Sequence, residues 1–393
     1  MSLSGQVLAI TKTNLANVPQ RLGASLVICT GIAAVVAVLI TVLAMAGGLA
    51  HALLSAGHTD RAMVLRAGAQ AEALSSLQRD AIVAIESAPG IRRANGAVAI
   101  SPEVVLGVNL PRASDGQLTG ATVRGLMPAA QLVRPEIQLL DGTMFATGVH
   151  EVIVGRAAHG LYADLDIGDH VTFHNGAWKV VGVFTSDGDV HESELLADAN
   201  SLMSAANRSV FSAATVQLDS ADAFEAFKTA LLSDPTLKVD VQRETEYYES
   251  QSKDVGKLLE MVANVVGGIM AMGALFGALN TMYSAVSARA VEIATLRAIG
   301  FSSTPLVVSI LVEAQLLALV GACVGAGIAW LLFNGNQFST GGPFGQIALN
   351  LHVGPSLLLT GILWGAVIGL IGGLFPAIHA ARRPVADALR VVA

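Results

Sequence analysis

The sequence predicts an α-helical membrane protein with four transmembrane helices and a mixed α/β domain inserted between the first two. Three observations carry this. The 393 residues are 53% hydrophobic and only 13% charged, whereas an ordinary soluble domain carries about a quarter charged residues. From Ala314 to Ala381 there is no Asp, Glu, Lys or Arg. Long uncharged stretches also lie towards both ends of the chain, around a polar middle with mixed strand-like and helix-like patterns.

A bilayer core of about 30 Å needs roughly 20 apolar residues in helix. Residues 22–50 give the first span, between Arg21 and His51. The second covers 255–288, its uncharged part running from Met261 to Ala288. The third, 305–333, is interrupted only by Glu313, and the fourth is 355–380. Between them 334–354, rich in Gly, Asn, Gln and Ser and containing Pro343, reads as a loop. The first stretch is far longer than the roughly 7 to 15 residues of a signal-peptide core, so it is expected to be retained despite Ala44-Met45-Ala46.

Basic residues near the membrane mark the cytoplasmic side. Lys12 and Arg21 precede the first span, Arg289 and Arg297 lie in the 289–304 connection, and Arg382, Arg383 and Arg390 fall in the 381–393 tail. Both termini, including the 1–21 segment, are therefore expected in the cytoplasm of a multi-pass inner-membrane protein, with 51–254 outside. Cys29 and Cys323 fall within spans, so they read as small packing residues.

From 51 to 255 the chain has 15 Lys and Arg against 26 Asp and Glu, a net charge of −11. Nucleic acid and anionic lipid surfaces are poor partners for such a domain. Gln78 to Ser87 reads as a short helix with Ile82 and Ile85 inward. Thr215–Leu218, Ala221–Leu232 and Lys238–Gln242 read as strand, helix and strand, the helix turning Phe224, Phe227 and Leu231 inward. Glu151–Val154, His170–Phe173 and Trp178–Phe184 are strand candidates, with Asn175-Gly176 as a hairpin signal. Tyr248, Ser252, Val255, Leu259, Val262 and Val266 step by three and four, which predicts that the second span begins outside the membrane as a stalk.

Enzyme chemistry finds little support. Gly256-Lys257 is followed by Leu258, so no phosphate-cradling loop is present in this sequence. No metal site is expected: His170 and His174 lie about 13 Å apart on a strand, and His191, Glu192 and Glu194 read as a solvated loop.

The sharpest pattern is the segment from Ser287 to Gly300. On a helix, Ile293, Leu296 and Ile299 form an apolar edge beside Arg289 and Glu292, a pair at i, i+3, and Gly300 ends it. Such a helix is suited to docking in a partner's groove or to lying on lipid. Apart from Lys257 and Glu260, which precede the uncharged part of the second span, Glu313 is the single formal charge within a span; a hydrogen-bonding role is expected for it, with a proton relay as the other reading. Gly361, Gly365, Gly369 and Gly373 form a stripe along the fourth span, and Gly321 with Gly325 and Gly273 with Gly277 repeat the spacing. Close helix packing is the expected use of all eight.

Arg289, Glu292, Ile293, Leu296, Arg297 and Gly300, in the pattern Arg-x-x-Glu-Ile-x-x-Leu-Arg-Ala-Ile-Gly between two spans, resemble the signature of the MacB/FtsX-like permease family of ABC transporters. The ending from Phe375-Pro376 to Ala388-Leu389-Arg390 is similar to the family's, where a Pro-Ala step closes the last span. Asp141-Gly142, Val154-Gly155, Ile167-Gly168-Asp169 and Val180–Val183 follow the order of its periplasmic core domain. The resemblance implies a MacB-like, type VII architecture and a coupling helix that contacts an ABC ATPase. It also implies a homodimer, or a pair with a homologous permease, served by two ATPase copies that bind the ATP and Mg. The resemblance further implies mechanotransmission to the periplasmic domain and efflux of a substrate, with a membrane-fusion adaptor or the substrate itself engaging that domain; a regulatory complex like that of FtsX is the alternative. With only a short segment before the first span, the chain looks like the stand-alone permeases of the DevC and lipoprotein-release types.

Overall fold

The computed structural model describes residues 6–7, 11–12, 22–94, 96–335, 337–341 and 346–382. The tail pattern from Arg383 to Arg390 lies outside them. Four helices are long and apolar enough to cross a membrane: Leu22–Ser55, Glu244–Ala288, Ser303–Phe333 and Pro355–Arg382. The chain divides into two compact units, one built from the spans and one from residues 48–256 with 337–350.

In the membrane unit, small residues set the packing. A Cβ placed on Gly365 would sit 2.5 Å from the Ala322 Cβ, and one on Gly373 would sit 2.6 Å from the Ala314 Cβ. Gly369 meets Ala318 in the same way. The fourth-span glycine stripe therefore lies on an alanine stripe of the third. Gly361 faces Ile40 and Val36 of the first span, while Gly321 and Gly325 lie against the Cys29 and Ala33 backbone. Lipid offers no hydrophobic drive between helices, so this close approach is where their attraction comes from.

At Gly273 and Gly277, by contrast, nothing among the described residues lies within 4 Å of a Cβ. The second span is sparsely covered, with Val265, Ile269, Met272 and Phe276 exposed. We expect Gly365→Leu to destabilise the span packing by about 1–3 kcal/mol, and Gly273→Leu to leave it unchanged. Unfolding of the purified chain in mixed detergent micelles measures both, and equal midpoints for the two variants would contradict this packing.

The fourth helix also continues through Pro376 to Arg382 instead of closing at the Pro-Ala step. Pro376 is buried, and within a bundle neighbouring helices help to satisfy the backbone groups a proline frees.

The inserted unit carries fourteen strands among the described residues. They are β1 (Arg61–Arg66), β2 (Arg93–Ala94), β3 (Ala97–Val98), β4 (Ile100–Pro111), β5 (Leu118–Leu126), β6 (Gln138–Gly142) and β7 (Glu151–Gly155). Then come β8 (His170–Phe173), β9 (Gly176–Thr185), β10 (Glu194–Asp198), β11 (Ala213–Gln217), β12 (Val239–Arg243), β13 (Gln337–Gly341) and β14 (Gln346–Asn350). Strands β2 and β3 form one hairpin and β13 and β14 another; the latter puts sheet structure into the expected 334–354 loop. The other ten make one sheet in the order β12-β1-β11-β4-β5-β10-β7-β9-β6, with β8 also on β9.

Strand β4 joins two halves. Ile100–Glu103 pairs with β11, and Val104–Pro111 pairs with β5. The strand-helix-strand unit forms as β11, the helix Phe224–Leu232 and β12, with Phe224, Phe227 and Leu231 buried. Its strands are not neighbours, because β1 lies between them and is antiparallel to both. The β8–β9 hairpin turns one residue earlier than expected. Phe173 pairs with Gly176, leaving His174 and Asn175 as the loop, with His174 at φ +44°. Gly176 is instead needed for packing, since a Cβ there would lie 2.9 Å from Trp178 Nε1.

Tyr248 does not belong to an exposed seam. It is buried in the inserted unit, while Val262 and Val266 further along the helix are exposed.

Candidate functional site

Between the second and third spans, Arg289 breaks the helix with φ −105° and ψ 11°, and a new helix runs Ala290–Ala298. Gly300 ends it at φ +100°, a conformation that glycine adopts without penalty. The expected apolar edge divides: Ile293 packs against the membrane-unit core, whereas Ile299 is 68% exposed, as is much of Val291. Ala294, between them, is buried, and Arg297 is half-buried. Of Leu296 only the backbone is described. The outward face thus presents Val291, Glu292, Thr295, Ala298 and Ile299.

Arg289 and Glu292 do pair, Nε to Oε2 at 3.4 Å. The sequence reading missed a second carboxylate on the same guanidinium: Arg289 Nη1 lies 3.4 Å from Glu313 Oε2. Both Arg289 and Glu313 are buried. A lone charge in a span was the signal for such a partner, because an unpaired one is costly there.

In the inserted unit, His191, Glu192 and Glu194 are not solvated. All three are buried in the turn Val190–Ser193 and the start of β10. Glu192 accepts hydrogen bonds from Thr185 Oγ1 and from the Ser186 and Gly188 amides, and pairs with Arg156 at 3.0 Å. Among the described residues no cluster has the make-up of a metal site.

Glu194 belongs to a ladder of charges where β4 passes from one half-sheet to the other. Arg124 on β5 donates to Glu194 at 2.7 Å, to Glu72 at 2.9 Å and to Glu103 at 2.5 Å. Arg134 bridges Glu103 at 3.0 Å and Glu244 at 3.1 Å, and donates to Thr215 Oγ1. Arg61 reaches Glu244 at 3.5 Å and holds Glu136 with two bonds of 2.7 Å. Glu244 is the first residue of the second-span helix, so the ladder ties that helix's start to the sheet.

Burial would raise the Glu103 carboxyl, but the Arg134 and Arg124 guanidinium groups outweigh it and hold it at about 2. Beside the ladder, His191 Nδ1 lies 2.9 Å from Asp189 Oδ2, and its Nε2 lies 3.2 Å from the Tyr248 hydroxyl. Burial opposes the charged form of each partner, yet their mutual attraction prevails: His191 is pushed up and Asp189 down.

Residues 24–233 match the family model of the MacB-like periplasmic core domain, and residues 264–385 match that of the FtsX-like permease C-terminal region. The first match alone covers more than half of the chain, and the chain belongs to the MacB/FtsX-like family of ABC transporter permeases. Among its relatives, the ABC transporter permease YknZ of Bacillus subtilis is 26% identical over 224 residues, covering 54% of this chain and 52% of that one. The macrolide export ATP-binding/permease protein MacB of Haemophilus ducreyi is 29% identical over 145 residues, 37% of this chain and 20% of that one. The chain thus spans about half the length of the first relative and a smaller share of the second. Of solved structures, the extracellular domain of YknZ is similar at 17% identity and a TM-score of 0.36, covering 47% of this chain and 100% of that one. The periplasmic region of MacB from Actinobacillus actinomycetemcomitans is similar at 13% and 0.37, covering 50% and 94%.

Proposed function

We propose that this permease couples ATP hydrolysis on a partner ABC ATPase to a movement of its inserted domain across the membrane, and so drives export of a substrate from the periplasm or outer leaflet. Two copies of the chain would work with two ATPase subunits, which hold the ATP and Mg. The chain would sit in the inner membrane with its termini and the Ala290–Ala298 helix in the cytoplasm and the inserted domain outside, within reach of an adaptor protein. The observation that carries this reading is the short helix between the second and third spans, which turns Val291, Glu292 and Ile299 outward. Exposed apolar side chains around one carboxylate fit a groove with a basic rim. The ladder from Glu244 to the sheet supports the other end of the path, because a displaced second-span helix would carry its anchor with it.

Co-purification tests the assignment. The wild-type chain should retain its ATPase in lipid nanodiscs, and Glu292→Lys with Ile299→Asp should weaken binding at least about tenfold, or about 1.4 kcal/mol. Undiminished binding by the double variant would remove the short helix from the interface. No ATPase retained by the wild type would overturn the coupling role.

A further inference from the structure

Arg289 stands at the corner between the second span, which ends at Ala288, and the short helix, which starts at Ala290. Its guanidinium is 7% exposed and faces two carboxylates on two different elements. They are unequal: Glu292, in the first turn of the short helix, is 45% exposed, whereas Glu313 is buried on the third span. Each contact is 3.4 Å, against about 2.7–2.9 Å for a committed charge-assisted hydrogen bond. One cation is therefore shared between two anions, and neither pair is fully made. Among the described residues Arg289 Nη2 has no hydrogen-bond partner, and Nε has only the long contact to Glu292.

A shared guanidinium responds to whatever engages the exposed partner. A basic group docking on Glu292 neutralises it and weakens its hold on Arg289. The buried Glu313 then becomes the stronger partner, and its pull is little screened because it is shielded from water. We infer that Glu313 is a positioning residue: it latches the corner at Arg289 to the third span, and it closes on Arg289 when the ATPase takes Glu292. Closure makes the short helix and the second and third spans move as one body. The inference rests on the coupling role proposed above and assigns Glu313 no contact with nucleotide or cargo.

The experiment uses the full chain in nanodiscs, with and without its ATPase, and reads amide hydrogen exchange over 290–298 beside ATP turnover. In Glu313→Gln, exchange there should rise about tenfold without the ATPase. Affinity for the ATPase should stay within about twofold, while stimulation of hydrolysis by the permease falls at least about tenfold. Glu313→Asp should restore part of both. In the wild type, ATPase binding should slow exchange over 290–298 further, and Glu292→Gln should lose that slowing. Wild-type exchange and turnover in Glu313→Gln would overturn the latch. If that variant fails to insert, Arg289→Gln removes the other half of the pair and is read in the same way. If the wild type binds no ATPase, the coupling role fails while the exchange of the isolated chain still decides whether Glu313 holds the corner.

Discussion

Arg124→Met is expected to remove a large share of the stability of the inserted domain. Arg124 is 2% exposed and neutralises Glu72, Glu103 and Glu194 from three different segments. Without it, Glu103 keeps Arg134, but Glu72 and Glu194 lose the guanidinium that faces them. Breaking a buried ion pair from one side costs about 3–5 kcal/mol, and a whole domain is stable by only about 5–15 kcal/mol. Urea unfolding followed by Trp178 fluorescence measures the effect, with Trp330 and Trp364 changed to Phe so that only the inserted unit reports. The expected result is a midpoint lowered by the equivalent of at least about 3 kcal/mol. A midpoint at the wild-type urea concentration would show that the ladder adds nothing to the fold. A companion variant sharpens the reading. Changing Arg124, Glu72, Glu103 and Glu194 together to apolar residues removes the stranded charges, and replacements of this kind are often neutral. It still leaves Arg134 without its Glu103 partner, so only partial recovery is expected.

The features legible in the sequence are those that neighbouring residues encode. A span announces itself as an unbroken apolar run. The helix Phe224–Leu232 does so by three aromatic and aliphatic side chains at helical spacing, all buried as expected. The short helix between spans was legible because Arg289, Glu292 and Gly300 lie within a few turns of one another. The ladder was not, because its partners are distant in the chain: Arg124 is 70 residues from Glu194, and Arg61 is 183 from Glu244. His191, Glu192 and Glu194 therefore looked like a polar loop, since acidic residues are rarely buried unless paired and their arginines lie far off in sequence. Glycine stripes show the same limit. Spacing marks a face that allows close approach, but the partner is absent from the pattern; the fourth-span stripe found alanines, whereas Gly273 and Gly277 meet nothing among the described residues.

The same ladder gives the inserted domain a pH window whose two edges have different owners. Glu103 is held at about 2 when folded, below the ordinary 4.5. Its contribution is therefore present in full above pH 4.5 and is lost as pH falls towards 2. At about 1.4 kcal/mol per pKa unit, that amounts to about 3 kcal/mol. Asp189 is also lowered from 3.8 and weakens the domain in the same acid range. His191 works in the opposite direction. Its folded value is raised above 6.5, so its contribution is complete below pH 6.5 and disappears as pH rises through that higher value. Glu244 adds to the decline on the alkaline side: burial raises its carboxyl despite Arg134 and Arg61, so stability also falls as pH rises from 4.5 through its folded value. The urea midpoint should therefore fall below about pH 4.5 and fall again as pH rises above it, with the His191 part of that decline beginning above about pH 6.5. Glu103→Gln should flatten much of the acid edge, and His191→Gln should flatten its part of the alkaline one and, because His191 is what lowers Asp189, take a smaller part of the acid edge with it. An alkaline decline of unchanged size in His191→Gln would assign that edge to another group and sever the Asp189–His191–Tyr248 contact from the stability of the fold. If the edges separate as expected, the start of the second-span helix is held by a charge network whose strength responds to protons on the inserted domain's side of the chain, because Tyr248, one turn past Glu244, is the residue that His191 touches.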